Sequence, residues 1–537
     1  MTALRRLPLA VGLAAALLLP LPALALSGDD DTVAAAPTTS ESLTADATAD
    51  SSAPLVPSSL AAADPKGSKG PGKFTVVGHE PLSGRGMNAA LAVHKGYTYI
   101  GNRTDGTPGH LNPGIQIVDT RVPSKPKVVG EITEQQGGLG QTSRELRVWP
   151  QQNLLMVLNF GCSSLIHRCT AGEATGSAFN FYDLSDPAKP RLVSTYKPPR
   201  TPHEFHLWLD PKRPGRALIY YSTPTSSDTQ PNMIVADISQ ARKGEFVELG
   251  RFNPNTEFSD ADRDEFDVRL HSMATTADGR RLHMAYLGGG YLLADISDFA
   301  DAKSDPKVKL LTPVEKRVSW GNPGAHSAVE IPQRPNLALA TDEVYGKFGG
   351  VLAEHGCPWG WARILDIKNL MAPKVLSEYK LAENTEEYCE KQGDERTENF
   401  TSFSAHNPTV VGPNLALVTW HGKGLQAIDM RNPAKPVSAG EWMPENPLAT
   451  VRTEDPALGG GNVDNVAGGT RDKVIMWSFP VVVDGLIYVV DLRNGLYILK
   501  YDGELSPEVK ATKFLEGNSN VGQVLEIEAA RAKKARG

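Results

Sequence analysis

The sequence predicts an all-β protein, a β-propeller of seven four-stranded blades closed by an N-terminal outer strand. The first observation is a repeat, because the segment FYDLSDPAKPRLV at residues 181–193 returns in diverged copies along the chain. Repeats at such a period are typical of propellers, solenoids and arrays. The second observation is that the last copy, LYILKYDG, is not followed by an outer strand, whereas a spare strand pattern precedes the first copy.

The N-terminus predicts export. Arg5 and Arg6 precede an apolar run at residues 7–21, and a small-residue cleavage site follows at residues 23–25. This order is typical of a secretory signal. We interpret residues 1–25 as a cleaved signal peptide rather than a membrane anchor, because the run is short for a span. We therefore expect a secreted or periplasmic protein with no transmembrane anchor after cleavage.

The chain after the signal divides into three parts by composition. Residues 26–72 are rich in Ala, Ser, Thr, Asp and Pro, and they predict a disordered spacer. Residues 73–503 carry the repeats and form the predicted propeller. Residues 504–537 are expected to be a C-terminal tail whose basic end, AARAKKARG, is a solvated helix end. The net charge of −7 argues against nucleic acid as a partner.

Blade 6 shows the strand pattern most clearly, with runs at 407–411, 415–420, 425–429 and 436–441 that are rich in β-branched and apolar residues. Asp429 ends the third strand, where its carboxylate can accept hydrogen bonds from amides in the turn. Five other aspartates stand at the same place, and we interpret all of them as turn residues rather than catalytic groups: Asp119, Asp183, Asp237, Asp295 and Asp366.

The blade count depends on the last copy, residues 478–503, which offers only three strands. Lys500 stands where the turn aspartate is found elsewhere. The segment FTVVG at 74–78 resembles the outer strand PKVVG at 126–130. If it pairs with the last copy, the ring closes and leaves no sheet edge exposed between the termini. Seven blades result, and six or eight would require one boundary to be redrawn.

These motifs resemble the LVIVD-repeat family of β-propellers. The resemblance covers residues 73–503 and rests on two hydrophobic residues followed by Asp-x-[Ser/Arg]-x-Pro-x-Lys-Pro. It implies the fold and says little about activity, since fold does not imply function.

The starts of the innermost strands align histidines from four successive blades, in PHEFH, RLHSM, GAHSA and SAHNP. These residues are His203 (or its neighbour Glu204), His271, His326 and His406. Strand starts share one face of a propeller, so the imidazoles should converge at the channel mouth, where they suit copper, zinc, iron or nickel.

Ends of second strands reach the same face, among them Asp342, Glu343 and His421. Asp342 or His421 could complete a metal site or orient a ligating imidazole. The alternative is that the aligned histidines cap strand ends and bond backbone groups across the channel, and the sequence leaves both interpretations open.

Two functions are compatible with this pattern. The first, which the sequence favours, is a monomeric non-enzymatic scaffold that binds a protein or a small molecule on its loop-rich face. Insertions at 161–177, 257–267, 344–361 and 383–400 would build that face. The second is a metal-dependent oxidoreductase with copper or zinc at the histidines. The stretch HEFHLW is distantly similar to the selenium-binding protein (methanethiol oxidase) propellers, a resemblance that implies copper.

The four cysteines predict disulfides, since an even count in an exported chain is typical of them. Three pairings are possible. The local one, Cys162 with Cys169 and Cys357 with Cys389, is preferred.

Overall fold

The computed structural model describes residues 68–69, 72–103, 114–132, 141–161, 176–265, 268–320, 324–343, 358–392, 403–445, 447 and 474–536. Within these residues the chain is almost entirely β, as the repeat predicted, and the sheets are antiparallel meanders of a β-propeller. None of the helices in the described residues is long and apolar enough to cross a membrane.

The first repeats form two four-stranded meanders. One consists of β3 (Asn88–His94), β4 (Tyr97–Asn102), β5 (Ile115–Asp119) and β6 (Lys127–Ile132). The other consists of β7 (Gln141–Trp149), β8 (Leu154–Gly161), β9 (Ala178–Asp183) and β10 (Arg191–Tyr196). A single pair, Asn102 with Ser143, links them into one eight-stranded sheet.

Three separate four-stranded sheets follow in chain order. The strands of the first are β11 (Phe205–Leu209), β12 (Ala217–Ser222), β13 (Met233–Gln240) and β14 (Glu245–Phe252). The strands of the second are β15 (Leu270–Thr275), β16 (Arg281–Tyr286), β17 (Gly290–Asp295) and β18 (Lys309–Leu310). The strands of the third are β19 (Ala325–Glu330), β20 (Leu337–Asp342), β21 (Ala362–Asp366) and β22 (Lys374–Tyr379).

The last two sheets each recruit an N-terminal strand. In one, β1 (Ser68–Lys69) joins β23 (Ala405–Val410), β24 (Leu415–Trp420), β25 (Gly424–Asp429) and β26 (Val437–Trp442). In the other, β2 (Phe74–Glu80) joins β27 (Val481–Val483), β28 (Leu486–Asp491), β29 (Gly495–Tyr501) and β30 (Phe514–Glu516). The pair of β2 with β29 runs from Phe74 opposite Tyr501 to Glu80 opposite Leu496.

The innermost strands of neighbouring sheets lie side by side and surround a channel. Close pairs are β27 with β3, β3 with β7, β11 with β15, β15 with β19 and β19 with β23. These strands are almost wholly buried, whereas outer strands such as β6 and β10 alternate exposed and half-buried residues. Apolar side chains of adjacent sheets pack together and form the core, which removes a large hydrophobic area from water.

The turn aspartates have the role that the repeat predicted. Each accepts a hydrogen bond from the backbone N–H two residues later, at distances of 2.7–3.1 Å: Asp119 from Arg121, Asp183 from Ser185, Asp237 from Ser239, Asp295 from Ser297, Asp366 from Lys368, and Asp429 from Arg431. These carboxylates therefore hold the turn to the outer strand.

The helices lie in connections and in the C-terminal region: α1 (Asp260–Glu265), α2 (Ser297–Ala300), α3 (Glu386–Gln392), α4 (Ser506–Ala511) and α5 (Val521–Arg536). Residues after 503 are not a tail, in contrast to the prediction. Strand β30 pairs with β27, and Ser519 then forms a parallel bridge with Leu207 of β11. Residues 514–520 therefore link β27 and β11, which are innermost strands of different sheets, and we call them the crossing segment.

Cys389 is disulfide-bonded. Cys162, Cys169 and Cys357 lie outside the described residues, so the preferred pairing stays a prediction. The signal peptide, most of the spacer and large parts of the predicted binding loops also lie outside them.

Candidate metal centre at the channel mouth

Irregular pairing at the start of the innermost strands positions the site. In β15 and β19 the register with the neighbouring strand shifts around one extra residue, which is His271 in the first case and His326 in the second. His406 lies in the corresponding irregularity of β23. An extra residue of this kind is a β-bulge, which bends the strand and re-aims a side chain. We call this place the bulge position.

The first sheet of this group has the same bulge with a different residue. The amide of His203 donates to Ser222 O, and the amide of Ser222 donates to Glu204 O, so two residues oppose one. Glu204 therefore stands at the bulge position, and His203 stands one residue earlier. The sequence left the choice between these two open, and the structure uses both.

The predicted histidines converge as expected. Neighbouring rings are separated by 4.4 Å between His203 and His271, 4.0 Å between His271 and His326, and 3.9 Å between His326 and His406. All four direct Nε2 toward one place, where Glu343 is the central carboxylate.

The ligand atoms form two overlapping groups that share His326. In the group of Glu204, His271 and His326, and in the group of His326, Glu343 and His406, all ligand atoms lie within 4.8 Å of one another. The separations from Nε2 to Glu343 are 3.5 Å for His271, 3.6 Å for His326 and 3.0 Å for His406. His203 Nε2 lies 2.9 Å from His271 Nε2.

Hydrogen bonds fix which ring nitrogen faces the centre. His406 Nδ1 lies 2.7 Å from the carbonyl oxygen of Trp477, which can only accept, so Nδ1 carries a proton. The Nε2 atom of a neutral His406 then presents a lone pair to the Glu343 carboxylate at 3.0 Å. Two acceptors at this distance repel unless a proton or a metal cation lies between them. His326 is held similarly, with Nδ1 at 2.8 Å from Ser327 Oγ.

Burial lowers the pKa of two of the four imidazoles, those of His326 and His203. Burial lowers the pKa of His326 well below its usual range, and the neighbouring His406 and His271 rings add to this effect. Burial and then His271 do the same to the pKa of His203. A neutral imidazole is the form that binds a metal.

The two carboxylates differ. Burial alone would raise the pKa of Glu343, but the adjacent His406 and His326 hold it well below its usual range, so this group is a carboxylate. Burial and then the nearby Glu145 raise the pKa of Glu204 well above its usual range. The pKa values of the two carboxylates are thus shifted in opposite directions.

Asp342 is not part of the cluster, which corrects the prediction. Its carboxylate accepts from Arg363 Nη1 at 2.5 Å, from the amide of Trp361 at 3.1 Å and from Trp320 Nε1 at 2.9 Å. Asp342 ends β20 and pairs with Ala325, whereas Glu343 follows the strand and reaches the centre. Because side chains alternate along a strand, the side chains of neighbouring residues point to opposite faces of the sheet.

His421 lies beside the cluster rather than within the two ligand groups. Its ring is 5.0 Å from His406 and 5.4 Å from Trp477. Burial and then His406 lower the pKa of His421 well below its usual range. His421 therefore packs against His406, and its role as a ligand or an orienting group stays a prediction.

The crossing segment contacts innermost strands close to the cluster. His206 lies two residues beyond Glu204 on the same strand, and its Nδ1 is 3.1 Å from Asn518 Oδ1 of the crossing segment. Arg147 donates to Asn518 O at 3.4 Å. The crossing segment therefore lies inside the channel, close to the histidine cluster.

Comparisons with known proteins give only distant structural likenesses. No protein family and no curated protein matches the chain. The solved periplasmic gluconolactonase PpgL of Pseudomonas aeruginosa is 13% identical with a TM-score of 0.43, over 73% of this chain and 92% of that one.

Chaetomium thermophilum Sqt1, bound to the N-terminus of ribosomal protein L10, is 13% identical with a TM-score of 0.40, over 76% of this chain and 86% of that one. The β-propeller domain of Cps50 (Swd1) from Myceliophteria thermophila is 10% identical with a TM-score of 0.40, over 77% and 96%. These structures are propellers, and nothing about a ligand follows from such distant likeness. Membership of the LVIVD-repeat family stays a prediction.

Proposed function

We propose that this protein is a transition-metal-binding β-propeller that acts on a small molecule at its channel mouth. The metal ligands are drawn from His203, His271, His326, His406, Glu204 and Glu343. The observation that supports this proposal is the spacing of the ligand atoms. Metal–ligand bonds of about 2.0–2.1 Å in a tetrahedral site place ligand atoms about 3.3 Å apart, and the contacts to Glu343 range from 3.0 to 3.6 Å.

The surroundings fit the same role. The Nδ1 contacts of His326 and His406 hold each ring so that Nε2 is available, which is how ligating histidines are usually oriented. Imidazole with carboxylate suits zinc, copper, iron and nickel better than magnesium or calcium. A bound metal would supply Lewis acidity or, if it is redox-active, electron transfer. The buried surroundings of His203 and His326 lower the pKa of these imidazoles, which favours the neutral form that binds a metal.

The identity of the metal would decide the reaction class. Copper or iron would favour the oxidoreductase that the sequence analysis kept as its alternative, and zinc would favour hydrolysis. The binding scaffold that the sequence favoured remains the competing function, and it requires no metal. We also propose that the protein is exported, on its N-terminal sequence.

The test is metal analysis of untagged protein after incubation with copper and with zinc. We expect stoichiometric metal in the wild type and loss of it in His326→Ala, because His326 belongs to both ligand groups. His94→Ala is the matched control, since His94 ends an innermost strand and contacts Asn153 Oδ1 at 3.2 Å, away from the cluster. Equal metal in all three proteins, or none in the wild type, would return the function to the scaffold.

We further infer that the ring has seven blades closed by β2. The support is the hydrogen bonding: β3–β6 and β7–β10 are separate meanders apart from one linking pair, and β2 supplies the outer strand beside β29.

A further inference from the structure

The channel mouth is chemically asymmetric. Histidines and Glu343 occupy the side formed by β11, β15, β19 and β23. On the other side, a small open pocket lies between β3, β7 and the segment before β27. Arg103 and Arg144 line this pocket together with His406 and Trp477. Two guanidinium groups thus share a pocket wall with a member of the candidate metal cluster.

A β-bulge positions Arg144 at the channel mouth, as it positions the histidines. The register of β7 with β8 shifts between Ser143 and Glu145, so Arg144 is the extra residue. It therefore stands at the bulge position that His271 and His326 hold in their sheets. Only 6% of Arg144 is exposed, and its Nε donates to Thr142 Oγ1 at 3.0 Å. A buried guanidinium held in this way is built into the site rather than solvated on the surface.

Arg103 is positioned by an aromatic ring. Its Cζ lies 3.9 Å from the ring centroid of Trp477, a favourable cation–π contact. The Trp477 ring is stacked on His406 at 6.2 Å and 23°. The Trp477 ring therefore contacts both the Arg103 guanidinium and His406, which is a candidate metal ligand.

Two carboxylates near this pocket have partners elsewhere among the described residues. Glu145 also lines the pocket, but it pairs with Arg147, whose Nη2 lies 3.1 Å from Glu145 Oε2. Glu343 faces the histidines. Guanidinium groups on this side of the mouth favour an anionic ligand there.

We propose that Arg103 and Arg144 form an oxyanion-binding subsite, which holds the anionic group of a small substrate while the remainder reaches the histidine cluster. Guanidinium groups bind carboxylate and phosphate oxygens with paired hydrogen bonds. The substrate class is therefore a small organic anion, carrying a carboxylate, phosphate or sulfate group. The placement of the reacting atom rests on the proposed function, but the anion subsite is testable in metal-free protein.

The experiment is calorimetric titration of chelator-treated full-length protein with acetate, inorganic phosphate and sulfate, each against chloride at equal ionic strength. We expect at least one oxyanion to bind with an affinity about tenfold or more weaker in Arg144→Gln and in Arg103→Gln. Arg144→Lys should retain part of the binding because it keeps the charge. Arg251→Gln is the matched control, since Arg251 pairs with Glu248 on the surface. Thermal unfolding of each variant checks that it is folded.

The result also separates this subsite from the metal proposal. Oxyanion binding that persists in His326→Ala supports the subsite whether or not metal binds, and the preferred anion identifies the group. Binding that does not exceed that of chloride, or that is equal in all arginine variants, overturns the subsite even if the metal analysis succeeds.

Discussion

Adjacent residues at the end of β20 have opposite roles. Asp342 is fully buried and contacts Arg363, which is 1% exposed, while Glu343 faces the histidines. Burial raises the pKa of Asp342, and the Arg363 guanidinium opposes that rise. The sequence identified this pair of carboxylates at the correct face. It named Asp342 rather than Glu343 as the possible site residue, and one residue of register reverses the direction of a side chain.

At this scale we expect Asp342→Asn to lower the free energy of unfolding by about 3 kcal/mol, because it removes the closest carboxylate from the buried Arg363 and leaves the longer ion pair with Glu378. Metal content per folded molecule should be unchanged. Glu343→Gln should do the reverse and lose metal with a small change in stability. Urea unfolding and metal analysis of both variants provide the check. Metal loss in Asp342→Asn with retention in Glu343→Gln would reverse the two roles.

The crossing segment is the element that the sequence missed. Its side chains bond strand β11 at two places: Asn518 contacts His206, and Asn520 accepts from the amide of Leu209. Position 517 requires glycine, because a Cβ there would lie only 2.4 Å from Pro408 O. Within residues 514–520 only three form a strand, and their partners are distant in the chain. A short segment stabilised by non-local contacts has little local signal, so composition suggested a tail.

Glu516 in the crossing segment makes the free energy of unfolding depend on pH. Glu516 is 3% exposed, and burial raises its pKa to about 7. Between its ordinary pKa and about 7, the unfolded chain releases this proton while the folded protein keeps it, so stability falls as pH rises. We expect Glu516→Gln to match the wild type near pH 5 and to be more stable at pH 8 by up to about 3 kcal/mol.

Urea unfolding at both pH values measures this difference. Glu526→Gln, an exposed position on α5, is the control and should show the same offset from the wild type at both pH values. A stability gain for Glu516→Gln that is equal at pH 5 and pH 8 would contradict a buried, proton-holding Glu516.

At the scale of the whole molecule, β2 joins the N-terminus to the last sheet. Its pairing with β29 connects residues more than 400 positions apart in the sequence. The strand pattern FTVVG suggested this partner because it resembles the outer strand at 126–130. The paired backbone removes the exposed edge that β29 would otherwise present.

Two equivalent glycines test the importance of this strand. A Cβ at Gly78 of β2 would lie 2.0 Å from the backbone oxygen of Pro123, whereas one at Gly130 of β6 would meet nothing closer than 3.5 Å. We expect Gly78→Ala to lower the free energy of unfolding by about 1–3 kcal/mol, a typical cost of overpacking. Gly130→Ala is the matched control and should change it far less. Equal unfolding midpoints for the two variants would show that β2 can shift without cost.

The sequence by itself determined the propeller, the turn aspartates and the four histidines, because each depends on a local pattern that the repeat copies. Tertiary structure decided that Glu343 rather than Asp342 joins the histidines. It also decided that Glu204 and Arg144 share the bulge position with His271 and His326, and that the crossing segment links β27 to β11. These features depend on strand register and on contacts between distant segments. A one-residue bulge redirects a side chain, and no local pattern in a single sequence records where that bulge lies.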